Sequence, residues 1–87
     1  MISFKVPEYN NENKNFVDVK AVFDIDGNIT PVAVFCESEW RDIDRIADIR
    51  PAASLKSGGA GIRYTCNIGG VRSYLFLEDT KWFLETA

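Results

Sequence analysis

The chain has 87 residues, 46% of them hydrophobic and 13% aromatic, with 10 basic against 13 acidic side chains and no histidine. This composition describes one globular domain over residues 1–87, and no apolar run approaches the roughly 18 residues that a membrane-spanning helix needs. The net charge of -3 weighs against phosphate-backbone binding as the main activity, and the lack of histidine removes the commonest general base and metal ligand.

Isoleucine and valine far outnumber leucine, which together with the aromatic content favours sheet over helix. Residues 2–6 read as a short strand that Pro7 ends or places on an edge, and residues 8–15 as a polar, asparagine-rich loop. Residues 16–23 alternate: Val17, Val19, Ala21 and Phe23 share one face, and Asp18 and Lys20 the other, the pattern of a half-buried strand. Asp24-Ile25-Asp26-Gly27-Asn28 is a turn, with Gly27 supplying a positive φ. Residues 29–36 return as the second strand of a β-hairpin, with Pro31 near its start.

Residues 38–50 support two readings. Trp40, Ile43, Ile46 and Ala47 stand at helical spacing behind Ser38 as an N-cap, and a strand with a bulge accommodates the same residues. Residues 51–60 are small and flexible, hence a loop. Residues 61–68 alternate cleanly, Gly69-Gly70 is a two-residue hairpin signal, and residues 71–78 return. Asp79-Thr80 then turns the chain into a last strand over Lys81–Glu85. The turns set a register: Ile68 opposite Val71, Cys66 opposite Ser73, Tyr64 opposite Leu75, Ile62 opposite Leu77, Leu77 opposite Trp82 and Leu75 opposite Leu84. All lie on one face, which must be the core.

The opposite face carries Arg63, Arg72, Tyr74, Phe76 and Phe83, the candidate binding face. Aromatics interleaved with arginines on a strand face are how small barrels stack nucleic-acid bases. The competing reading is that Phe76 and Phe83 pack under another element or against a second subunit.

Other motifs carry less. Phe23-Asp24-Ile25-Asp26-Gly27-Asn28, after an apolar strand, resembles the first motif of the haloacid-dehalogenase phosphatases, which would make Asp24 a nucleophile and Asp26 a general acid beside magnesium. That family's core is parallel α/β and longer than this chain, Asn28 stands where the motif has Thr, and Pro31 sits where its helix would form. A hairpin turn explains the same residues. An EF-hand loop counted from Asp24 would need Gly and Glu where other residues stand. Lys56-Ser57-Gly58-Gly59-Ala60-Gly61 has a phosphate loop's composition in the wrong order. The run from Arg41 to Arg50 alternates acids and arginines, a solvated face rather than a metal site. Cys36 and Cys66 form no CxxC and read as free buried thiols.

Trp40 with Ile43-Asp44-Arg45-Ile46, then Ser57-Gly58-Gly59, Gly61-Ile62-Arg63-Tyr64-Thr65-Cys66, and Trp82-Phe83-Leu84-Glu85 resemble a group of small bacterial all-β proteins of no assigned activity. The resemblance spans about residues 16–85. It implies a compact all-β domain with residues 41–50 as a strand, and it brings no catalytic residues.

The expected fold is therefore all-β: a small antiparallel barrel or strongly twisted meander sheet of five to six strands, the alternative being α+β with residues 39–50 helical. The expected core holds Val17, Val19, Phe23, Val32, Val34, Ile43, Ile62, Tyr64, Leu75, Leu77, Trp82 and Leu84. The expected function is a non-enzymatic protein-interaction module, self-associating or with another protein. The alternative is a weak single-stranded nucleic-acid binder. No catalytic residue, metal site, cofactor or membrane contact is expected. The N-terminal residues lack an apolar signal core, so a cytoplasmic location is expected.

Overall fold

A computed structural model describes residues 14–52 and 61–86. The strand expected at 2–6, the loop that follows it up to residue 13, and the glycine-rich stretch at 53–60 lie outside the described residues. Six strands follow one another: β1 (Asn15–Phe23), β2 (Ile29–Cys36), β3 (Glu39–Pro51), β4 (Ile62–Ile68), β5 (Val71–Glu78) and β6 (Lys81–Thr86). Each pairs antiparallel with the next, and β6 pairs with β1, so the meander closes into a barrel. Among the described residues there is no helix.

The hairpins of the C-terminal half have the register that their turns dictate. Ile68 faces Val71, Cys66 faces Ser73, Tyr64 faces Leu75 and Ile62 faces Leu77. Leu75 and Leu77 continue to Leu84 and Trp82. Gly69 and Gly70 take φ of 58° and 82°, the conformation of a two-residue turn that matches strand twist. The inward face is the core. Val34, Tyr64, Cys66, Ile68, Leu75 and Leu77 are buried there, with Val17, Val19, Ile43, Ile62, Trp82 and Leu84 packed against them.

Residues 39–51 are strand, and the helical spacing within them has a different origin. Ile43 faces Ile68, Arg45 faces Asn67, Ile46 faces Cys66 and Asp48 faces Thr65, so Asp44 and Ala47 are each an extra residue in the ladder. Two bulges three residues apart put Ile43 and Ile46 on the same face at the spacing a helix would use. The bulges also bend β3, whose first residues pair with β2 and whose remainder pairs with β4. Ser38 is no helix cap: Glu37 and Ser38 form the β2–β3 turn with φ of 54° and 67°.

Two expected core residues are outside. Along β1–β2, Lys20 faces Ala33 but Ala21 faces Pro31, so Val32 is the extra residue of a bulge and turns to solvent, 43% exposed. The bulge shifts the alternation, and Pro31 is buried instead. Phe23 is the last residue of β1, at the turn end of a stretch that among the described residues pairs with β2 alone, and it is 71% exposed.

Gly61 has a role unrelated to phosphate. A Cβ there would lie 2.8 Å from the Leu77 carbonyl oxygen and 3.2 Å from that of Ala52, so the residue permits close passage of neighbouring backbones. Its carbonyl accepts the Ala52 N–H at 2.9 Å.

Candidate interaction surface

The outward face of β4, β5 and β6 gathers four of the five candidate residues. Cross-strand register sets Arg63 beside Phe76 and Phe76 beside Phe83. The Phe76 and Phe83 rings stack at 4.7 Å with planes 5° apart. Tyr74 meets the edge of Phe76 at 6.5 Å, and the Arg63 guanidinium lies 5.0 Å from the Tyr74 ring centre. Arg72 is exposed farther along β5, opposite Asn67 and beside the Gly69-Gly70 turn.

This row is partly closed. Phe83 is 2% exposed although it points outward. Phe16 of β1 stands edge-on to it at 6.0 Å. The Lys14 ammonium lies 4.9 Å from its ring centre and pairs with Glu78 at 2.9 Å, with the lysine side chain only 4% exposed. Tyr74 and Phe76 are half-buried. What the face offers is therefore two partly open rings and one arginine. A second aromatic group, which the sequence did not single out, lies across β1–β3: Phe35 and Trp40 meet edge to face at 5.5 Å, with the Lys20 ammonium 4.5 Å from Trp40. Both aromatics are half-exposed and flank the Glu37-Ser38 turn, which the sequence hid behind a helical spacing.

Among the described residues, apolar side chains are also exposed at the β1–β2 hairpin. Val22, Phe23, Ile25 and Val32 are all exposed, Ile25 completely. Among the described residues, Asp18–Phe23 pair with β2 alone and Ile29–Pro31 with β1 alone, so this arm has no ladder partner on either outer edge. Its turn end, where Ile29 faces Phe23, is fixed to the barrel. Pro31 is buried, Ile29 packs against the core, and the Tyr64 hydroxyl donates to the Ile29 carbonyl.

Asp24 closes the hairpin. One of its carboxylate oxygens accepts the N–H groups of Asp26 and Asn28 at 2.9 and 2.8 Å, and the other accepts the Asn28 amide at 3.1 Å. The Asn28 backbone bond, then its side-chain bond, hold the Asp24 carboxyl below the usual carboxylate range. These are the bonds of an Asx turn, and the strand after it runs antiparallel to the one before.

Both cysteines point into the barrel and are free. Cys66 is fully buried and burial pushes its thiol pKa up, whereas Cys36 is half-buried near the β2–β3 turn. Iodoacetamide is therefore expected to modify Cys36 and spare Cys66 until the protein unfolds. Peptide mass spectrometry checks this, and equal labelling of both thiols in the native protein would contradict it.

No family model matches the chain, and no curated protein or solved structure matches it significantly. Among the described residues, no group of three or more Cys, Asp or Glu is placed to hold a metal ion.

Proposed function

We propose that the chain is a non-enzymatic protein-interaction module that associates with a second copy of itself through the β1–β2 arm. One observation carries the reading: Val22, Phe23, Ile25 and Val32 are exposed together on a two-stranded arm whose outer edges lack ladder partners among the described residues. A two-stranded ribbon is marginal by itself in water. Unpaired edges invite pairing with another chain, and the exposed apolar side chains on both faces of the arm favour contact with another surface. A second copy brings the same edge, so one two-fold axis sets the two edges and their apolar side chains against each other.

Less supports a single-stranded nucleic-acid binder: Arg63 over Tyr74 beside half-buried Phe76, with Phe83 closed off. The acidic balance of the chain weighs against it as well.

Size-exclusion chromatography with light scattering tests the proposal. Wild type is expected to be a dimer, the Phe23→Ser/Ile25→Ser variant a monomer, and Phe76→Ser still a dimer. A monomeric wild type overturns the proposal. So does a dimer that survives the double substitution or that Phe76→Ser dissociates.

A further inference from the structure

The interior of a small barrel is filled by layers of side chains. In the middle of the β4–β5 ladder Tyr64 faces Leu75, both large and buried. One step towards the β4–β5 turn, Cys66 faces Ser73, two small side chains. Beyond this pair a cavity of about 390 Å³ opens at the end of the barrel, with Val17, Cys36, Arg41, Ile68, Ser73 and Leu84 among its walls. The mouth lies at the end of the strands away from the β1–β2 arm.

We propose that this mouth is a binding site for a small neutral, largely apolar molecule carrying one N–H or O–H donor. Its volume lies in the range of small-molecule pockets. Val17, Ile68 and Leu84 give it an apolar wall. Ser73 supplies the polar point. Its hydroxyl is buried, and its bond to the protein is a long one, 3.3 Å, donated to the Val71 carbonyl. That leaves the oxygen lone pairs open to accept from a ligand. Charge argues for neutrality. The Arg41 guanidinium at the rim is already matched by Glu37 at 2.9 Å and Glu39 at 2.8 Å. An anion there would meet two carboxylates around one cation, and a cation would be desolvated against apolar walls. The buried Arg41 Nε has no hydrogen-bond partner, and a ligand hydroxyl, which accepts as well as donates, would meet it.

N-phenyl-1-naphthylamine, neutral and aromatic with one N–H, is the probe. Its fluorescence is expected to rise and saturate at one molecule per chain. The dye should also slow alkylation of Cys36 by about tenfold or more, the protection expected when most sites are filled. Ser73→Leu extends into the cavity and is expected to abolish both effects while the chain stays folded by circular dichroism. Phe23→Ser/Ile25→Ser leaves both effects in place, which separates the mouth from the arm. No fluorescence rise with wild type overturns the proposal, and so does an equal rise with Ser73→Leu. Should Ser73→Leu fail to fold, Cys36 labelling in wild type decides: a rate unchanged at saturating dye overturns it.

Discussion

Leu75→Ala is expected to lower the free energy of unfolding by about 2–5 kcal/mol, the range for a leucine removed from a packed core. Leu75 is fully buried and stands between Tyr64 of β4 and Leu84 of β6, so it joins three consecutive strands. The rigid ladders on both sides prevent collapse into the space the side chain leaves. Leu75→Met keeps the volume and is expected to cost less than about 1.5 kcal/mol. Urea unfolding checks both substitutions: the midpoint should fall with little change in slope. A midpoint for Leu75→Ala equal to wild type would mean that the core is not built around this residue. Two positions along the same strand face, the expected response is opposite. Ser73 lines the cavity at the end of the barrel, so enlarging it should be tolerated where shrinking Leu75 is not.

The C-terminal half was legible because its turns count residues. A two-residue loop fixes which residues face each other, and strict alternation then assigns every side chain to a face. Gly69-Gly70 and Asp79-Thr80 did this for three strands, and the row from Arg63 through Phe76 to Phe83 came with them. The N-terminal half resisted because bulges break the count. A bulge at Val32 turned that residue outward, and two bulges in β3 gave a strand the spacing of a helix. Nothing local marks an extra residue, since its cause is the bend needed for closure, a property of the whole barrel. The same limit hid the arm. Phe23 continues the inward alternation of β1 beyond Val17, where β6 no longer pairs with the strand. The closing of Phe83 depends on Lys14 reaching Glu78, a contact between residues far apart in the chain that no pattern along it encodes.

Tyr64→Phe is expected to cost about 0.5–1.5 kcal/mol although it removes one oxygen atom, the net worth of one hydrogen bond. The Tyr64 side chain is buried, its ring lies 5.6 Å from Trp82, and its hydroxyl ties β4 to the Ile29 carbonyl beside the turn of the β1–β2 arm. Phenylalanine keeps the ring packing and loses the tie. Hydrogen exchange should therefore accelerate at the amides of Ile29, Thr30 and Val32 more than in the β4–β5 ladder, and uniform acceleration across the barrel would refute a local role. Tyr64→Ala removes the packing as well and is expected to cost about 3–5 kcal/mol. The hydroxyl also predicts a pH response. Burial raises the Tyr64 pKa above its ordinary value of 10.0. Below that value the phenol is neutral in both states and its contribution is fully present. As pH rises past it the unfolded chain ionises first, and stability is lost up to the folded value. Cys66, raised above 9.0 by the same burial, adds to the loss. The alkaline fall in unfolding midpoint should therefore be shallower in Tyr64→Phe than in wild type. Equal slopes would mean that the phenol is solvated in the folded protein, and the tie between β4 and the arm would then be absent.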